Sequence, residues 1–133
     1  MYEIKPGLLV FLGAALGTLA RALIDSLVAS TFAGINVSTV FVNVLGAFLM
    51  GGLITTWSIR RGMHPLWDRI KIFAGTGFLG AFTTYSAFAL AIARGTNLAL
   101  ALGAGALTVL AGVAGAWLGT RFAKDLSVKG VRV

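Results

Sequence analysis

Gly75-Thr76-Gly77-Phe78-Leu79-Gly80-Ala81-Phe82-Thr83-Thr84-Tyr85-Ser86-Ala87-Phe88 is the stretch on which the reading of this chain turns. It places three glycines and a run of hydroxyls inside a segment apolar enough to cross a membrane. In hydrocarbon every backbone N–H and C=O must find a partner, so non-helical backbone survives there only where protein buries it or where it lines a wet cavity. Gly75, Gly77 and Gly80 lower helix propensity, and Thr83, Thr84 and Ser86 follow them, so a break is expected between Gly80 and Thr83. A break in mid-membrane marks an ion or substrate site.

The rest of the chain agrees with a membrane setting. Of 133 residues, 58% are hydrophobic and only 11% charged, with a mean hydropathy of +0.93, whereas a soluble domain carries about 25% charged residues. Apolar segments at 7–29, 36–58, 69–93 and 97–120 each approach the roughly 20 residues that span a bilayer. The fold class expected is therefore all-α: one domain over residues 1–133, made of four transmembrane helices with the third one broken. The absence of cysteine removes disulfides and thiolate metal sites. The start, Met1-Tyr2-Glu3-Ile4-Lys5-Pro6, lacks a small-residue cleavage site after a short apolar core, so the first span is expected to be retained.

The formal net charge of +7 would raise nucleic acid as a partner in a soluble chain. Here the basic residues lie between and after the apolar segments, without the patch and interleaved aromatics of a nucleic-acid footprint. Lys5, Arg60, Arg61, Arg69, Lys71, Arg121, Lys124, Lys129 and Arg132 fall on one side, Arg94 on the other, and Arg21 within the first span. The positive-inside rule then places a multi-pass protein in the plasma or inner membrane with both termini in the cytoplasm. Gly13 with Gly17, and Gly112, Gly115 and Gly119, recur at the spacing that lets membrane helices approach closely. Four spans make a thin bundle, so a pore is expected to be completed by a second subunit.

Several residues have the chemistry of an ion path. Asn43 lies well inside the second span, and its amide must face protein, water or a ligand because lipid satisfies none of its hydrogen bonds. Tyr85 and Phe88, three residues apart, share a helical face that Phe82 is expected to extend, and aromatic edges are electropositive enough to face an anion. Thr83, Thr84 and Ser86 supply hydroxyls, either to an ion or back to the preceding turn, while backbone carbonyls freed by a break suit an alkali cation. Arg21 is four residues before Asp25, so the two are expected to pair or to line a vestibule. His64 stands alone beside Pro65 in the basic loop. No nucleophile, base and orienter set, phosphate loop or metal cluster can be assembled, which argues against an enzyme.

These pieces together resemble a known family. Gly13 to Arg21 (Gly-Ala-Ala-Leu-Gly-Thr-Leu-Ala-Arg), Thr39 to Gly46 with its Val-Asn, Gly77 to Gly80 (Gly-Phe-Leu-Gly) and Thr83 to Phe88 (Thr-Thr-Tyr-Ser-Ala-Phe) are similar, in order and spacing, to the small four-helix fluoride channels (Fluc, also called CrcB), which pair as antiparallel dimers. The resemblance implies a fluoride-selective channel that passively exports cytoplasmic fluoride and lowers its cellular concentration. It also implies a structural sodium ion at the dimer centre on the carbonyls of Gly80 and Thr83, and fluoride pathways lined by Asn43, Tyr85 and Phe88. The chain departs from the family pattern in having Tyr85 where phenylalanine is typical, Ala87 for threonine and Ala81 for the second glycine. In the last span, between Leu98 and Leu118, the family's hydroxyl track is reduced to Thr108.

Nine basic residues against one is a strong orientation bias for an antiparallel homodimer, so a heterodimer with an oppositely oriented paralogue is the other assembly expected. Two rival functions stay open: a small proton-coupled multidrug exporter and a non-conducting partner subunit. The exporter requires a carboxylate in the membrane, and Glu3, Asp25, Asp68 and Asp125 all lie at span ends or in loops.

Overall fold

The computed structural model describes residues 5–28, 30–32, 35–94 and 97–130, so Glu3 and Arg132 lie outside the described residues. Helix α1, Pro6–Leu27, opens on a proline in its first turn, where the missing N–H would have had no intrahelical acceptor in any case. A hairpin that neither composition nor periodicity announces follows: β1 (Thr31–Phe32) pairs antiparallel with β2 (Ile35–Asn36), with Thr31 opposite Asn36. Helix α2 runs from Val37 to Arg60. Gly62, at φ +84°, then takes the left-handed conformation that turns the chain.

The third span is composite. Helix α3 (Leu66–Ile70) continues into a π-helical segment, Lys71–Leu79, and a last helical turn α4, Gly80–Phe82. Thr83 then turns to extended backbone at φ −79° and ψ 154°, and α5, Tyr85–Arg94, resumes the path. The break thus falls at Thr83–Thr84, not between Gly80 and Thr83. The glycines do not end the helix; they are absorbed in the widened π turn, where the Gly80 N–H bonds the Gly75 carbonyl. Such turns concentrate at functional sites. The 10 residues of α5 cover about 15 Å, half of a hydrocarbon core of about 30 Å.

Helix α6 spans Leu98–Gly130, 33 residues, beyond the expected limit of 120. Its second half carries Arg121, Lys124 and good helix formers with no proline, so the basic tail continues as helix past the membrane. Four helical stretches are long and apolar enough to cross: Pro6–Leu27, Val37–Arg60, Leu66–Arg94 and Leu98–Val128. The chain is a multi-pass membrane protein.

Two seams built on small residues order the bundle. A β-carbon on Gly77 of the π segment would lie 2.8 Å from the Val10 carbonyl oxygen, and one on Gly13 would meet the Phe73 carbonyl and lie 2.8 Å from the Phe78 nitrogen. In the other seam Gly119 rests on the Phe48 carbonyl, Gly51 on the Ala116 carbonyl and Gly115 on that of Val44. Contacts ascend together along each pair, so α1 runs parallel to the third span and α2 parallel to α6. Gly13, Gly17, Gly115 and Gly119 are thus used within one chain, while Gly112 meets nothing within 4 Å.

This topology gathers Lys5, Arg60, Arg61, Arg69, Lys71, Arg121 and Lys124 at one end of the bundle. All three tryptophans join them there. Lys71 Nζ lies 3.8 Å from the Trp57 ring centre, with the Arg61 guanidinium 5.7 Å from the same ring, Arg60 4.9 Å from Trp67 and Arg121 4.5 Å from Trp117. The Trp57 indole donates to Asp68 at 2.8 Å. This is the basic aromatic belt of a membrane–water interface.

Candidate functional site

A small apolar core of Val42, Leu79 and Phe82, fully or nearly fully buried, backs the break. Against it sits Asn43, one residue along α2, whose side-chain amide pairs with both backbone groups of Thr84. Asn43 Nδ2 donates to the Thr84 carbonyl at 3.0 Å, and the Thr84 N–H donates to Asn43 Oδ1 at 2.8 Å. Of the outcomes open for Asn43, the amide therefore takes a protein partner, and one of its two amide hydrogens is left over.

Each hydroxyl near the break has a defined use. Thr83 Oγ1 donates to the Leu79 carbonyl at 3.0 Å, the same carbonyl that accepts the Thr83 N–H at 3.1 Å, so this hydroxyl bonds back to the preceding turn. Thr84 acts forward. Its Oγ1 accepts the Ala87 N–H at 3.2 Å, which is an N-cap on the third residue of α5, and it lies 3.3 Å from Ser86 Oγ. Thr108, buried in α6, donates to the Ala104 carbonyl at 2.8 Å. A hydroxyl whose only hydrogen goes to its own helix cannot give it to an anion, so Thr83 and Thr108 offer lone pairs, not donors. Among the described residues no buried side-chain nitrogen or oxygen lacks a partner.

The aromatic row expected from 82 to 88 is divided. Tyr85 and Phe88 remain a tilted pair with ring centres 6.3 Å apart. Phe82, on the other side of the break, is buried and stacks on Phe78 at 5.7 Å. A three-residue spacing joins side chains only along a continuous helix, and Thr83 interrupts it. Phe88 leans on α6 at Gly105, where an added β-carbon would lie 3.3 Å from its Cζ, and Thr108 is one turn further along that face. Tyr85 is 81% exposed.

A cleft of about 320 Å³ opens beside the break, lined by Asn43, Gly46, Ala47, Met50, Thr83, Thr84 and Tyr85. Sequence reasoning does not single out Gly46 as a site residue, although its place three residues after Asn43 is the available signal. A β-carbon there would collide with Thr83 Cγ2, so the bare glycine admits the Thr83 methyl. A groove of the same volume lies between α2 and α6 at the basic end, near Arg60, Thr56 and Ser127. Its hydroxyls donate to their own helices, Thr56 to the Gly52 carbonyl and Ser127 to that of Ala123. The polar groups with hydrogen-bonding capacity to spare are therefore at the break.

Arg21, half-buried, and Asp25, exposed, lie one turn apart on α1. The ion pair expected between them is not formed; no Arg–carboxylate pair within 4.0 Å occurs among the described residues. Both side chains sit near the helix end opposite the basic belt, where each can reach water separately. His64 is exposed in the turn after α2, and its Nδ1 accepts the Leu66 N–H at 3.1 Å.

A four-span membrane protein whose third span is broken and clamped by a half-buried amide has the architecture that ion-conducting and ion-binding bundles use. Comparison with known proteins places it more narrowly. Residues 8–120 match the model of the family described as CrcB-like protein, Camphor Resistance (CrcB), and the chain belongs to that family. It is 45% identical over 125 residues to fluoride-specific ion channel FluC 2 of Leifsonia xyli, covering 86% of each chain. It is 40% identical over 117 residues to the fluoride-specific ion channel FluC of Campylobacter jejuni (84% of this chain, 92% of that one). With the protein of the same name from Gloeobacter violaceus the identity is 36% over 129 residues, covering 92% and 99%.

Proposed function

We propose that this chain is a subunit of a fluoride-selective channel, not an enzyme, through which fluoride leaves the cytoplasm passively. The observation that carries the proposal is the donor set gathered at the clamped break, in a chain so similar to proteins named fluoride-specific ion channels. Fluoride is small and strongly hydrated, so a path for it must replace water with N–H, O–H and ring-edge donors at close quarters. Five such donors serve here: the second amide hydrogen of Asn43, one hydroxyl hydrogen of the Thr84–Ser86 pair, the Tyr85 hydroxyl, and the ring edges of Tyr85 and of Phe88. The Tyr85 hydroxyl adds a donor that the more usual phenylalanine lacks. It offsets the loss of the hydroxyl track in α6, where Thr108 is self-bonded.

The backbone at Gly80 and Thr83 fits a sodium ion. Both residues stand at the end of a helix, where carbonyls lose their intrahelical donors, and Thr83 is extended, so hard oxygens become available to an alkali cation. Bound there, sodium would balance those carbonyl dipoles and hold the ends of two broken helices together.

A second subunit is part of the proposal. Thr76, Gly80, Tyr85 and Ser86 are exposed on a single chain at a depth where lipid offers polar groups nothing. An antiparallel partner crossing at the break covers them and doubles the carbonyl set. That partner is a second copy or an oppositely oriented paralogue, the latter favoured by the one-sided basic belt, which directs both termini of this chain to the cytoplasm of a cell with this protein in its plasma or inner membrane.

The test is efflux from liposomes followed with fluoride and chloride electrodes, with and without sodium. Fast fluoride efflux without chloride efflux, strengthened by sodium, is the expected result. Flux appearing only with a proton gradient and an organic cation would replace the proposal with a multidrug exporter. Flux appearing only on co-reconstitution with a paralogue would establish the heterodimer.

A further inference from the structure

In an α-helix the N–H of residue i bonds the carbonyl of residue i−4. Continued through the break, the Thr84 N–H would reach the Gly80 carbonyl, and the Ala87 N–H would reach that of Thr83. Neither does. The Thr84 N–H is given to Asn43 Oδ1 at 2.8 Å, and the Ala87 N–H to Thr84 Oγ1 at 3.2 Å. The two carbonyls assigned to sodium in the proposal above are thus the two whose helical donors have been drawn off by side chains.

We infer that Asn43 and Thr84 are positioning residues for the cation site, keeping the Gly80 and Thr83 carbonyls unpaired so that they can face an ion. This inference rests on the sodium part of the proposed function. It separates two tasks within one side chain: Oδ1 of Asn43 serves the cation site by holding an amide hydrogen, while Nδ2 serves the Thr84 carbonyl and the anion path. An unpaired carbonyl in a dry setting is costly, and the cation is what repays that cost. The same arrangement therefore makes sodium a structural partner of the fold at the break.

The test follows the melting temperature of the purified full-length protein in detergent as sodium replaces N-methylglucamine at constant ionic strength. Wild type is compared with Asn43→Leu, Asn43→Asp, Thr84→Val and Thr84→Ser. Asn43→Leu and Thr84→Val remove the accepting oxygens and let the amides return to Gly80 and Thr83. Their half-saturating sodium concentration should rise about tenfold or more, because each carbonyl must first give up a hydrogen bond. Asn43→Asp, ionised or protonated, and Thr84→Ser keep an oxygen on the same amide and should stay within about threefold of wild type.

Far-UV circular dichroism accompanies each titration, and Asn43→Ala and Thr84→Ala replace any bulkier variant that does not yield monodisperse protein. A wild type that responds to sodium, with Asn43→Leu and Thr84→Val responding at the same concentration and with intact helical content, overturns the inference alone. A wild type insensitive to sodium overturns the cation site itself, and with it the sodium part of the proposed function.

Discussion

Helix α2 meets the rest of the bundle through two seams of opposite chemistry. Towards α6 it presents Phe48, Gly51 and Gly52 to Gly115, Ala116 and Gly119, and the hydroxyls on that side, Thr55 and Thr56, donate to the Gly51 and Gly52 carbonyls of their own helix. Towards the third span the same helix presents Asn43 to backbone and Gly46 to the Thr83 methyl. The first seam works mainly by the absence of side chains, with the Thr120 hydroxyl donating across it to the Gly51 carbonyl at 3.5 Å, and leaves no polar group seeking a partner. The second works by one polar side chain that undoes a neighbour's helix. The two seams overlap along the helix, since Val44 meets Gly115 immediately beside Asn43, and are separated by the face of α2 that each uses.

The largest expected effect comes from breaking the first seam. Gly119→Val puts a branched side chain onto the Phe48 carbonyl, where the backbone cannot yield. Overpacking of this kind costs about 3 kcal/mol or more, and the variant should not survive size-exclusion chromatography as a single species. Gly112→Ala, which meets open space within 4 Å, is the control and should elute as wild type does.

Breaking the second seam should remove function and spare the fold. Asn43→Asp keeps a partner for the Thr84 N–H, but an ionised carboxylate has no donor for the Thr84 carbonyl and repels an anion. Fluoride efflux from liposomes should fall at least about tenfold, equivalent to about 1.4 kcal/mol, with elution volume unchanged. Wild-type flux in this variant would take Asn43 out of the path.

The contrast between the seams also explains which features are legible in the amino-acid sequence. Spans, their number, the one-sided charge and the existence of a break follow from hydropathy and composition, because the bilayer imposes length and backbone satisfaction on any chain that crosses it. Asn43 stands out because an amide has no place in lipid. Its partner does not, since Thr84 contributes backbone, which every residue has.

The break lies later than the glycines suggest because Gly75, Gly77 and Gly80 are spent on close approach and a π turn, uses that look identical in sequence to helix breaking. Phe82 departs from expectation for a related reason: a helical spacing does not carry across a point where the helix stops. The Arg21–Asp25 pair fails because spacing permits a contact without requiring it, and solvent near a span end serves both charges as well. The hairpin at Thr31–Asn36 leaves no periodic trace, being two residues per strand.

A smaller effect should sharpen where the second seam ends. Gly46→Ala forces its new methyl against Thr83 Cγ2 and shifts the extended residue that forms the break. Fluoride efflux should drop severalfold, in the range of about 1 kcal/mol. Adding Thr83→Ser removes Cγ2 while retaining the Oγ1 bond to the Leu79 carbonyl, so the double variant should regain most of the flux. Such recovery is the signature of two groups in direct contact. Equal loss in the single and double variants would mean that Gly46 acts through something other than the Thr83 methyl.

The smallest expected effect lies outside both seams. Lys71 begins the π segment and stands 3.8 Å from the Trp57 ring centre, so it ties the base of the third span to the end of α2. Lys71→Met keeps an apolar stem over the ring and removes the charge. The loss should be about 0.5–1 kcal/mol, read as a melting temperature lowered by a few degrees, with fluoride efflux unchanged. Six other basic residues, Lys5, Arg60, Arg61, Arg69, Arg121 and Lys124, remain at that end, so orientation in the membrane should also hold. If efflux fell along with stability, the base of the third span would be coupled to the break through the π segment, and the division of packing from polar clamping between the two faces of α2 would not extend to the third span.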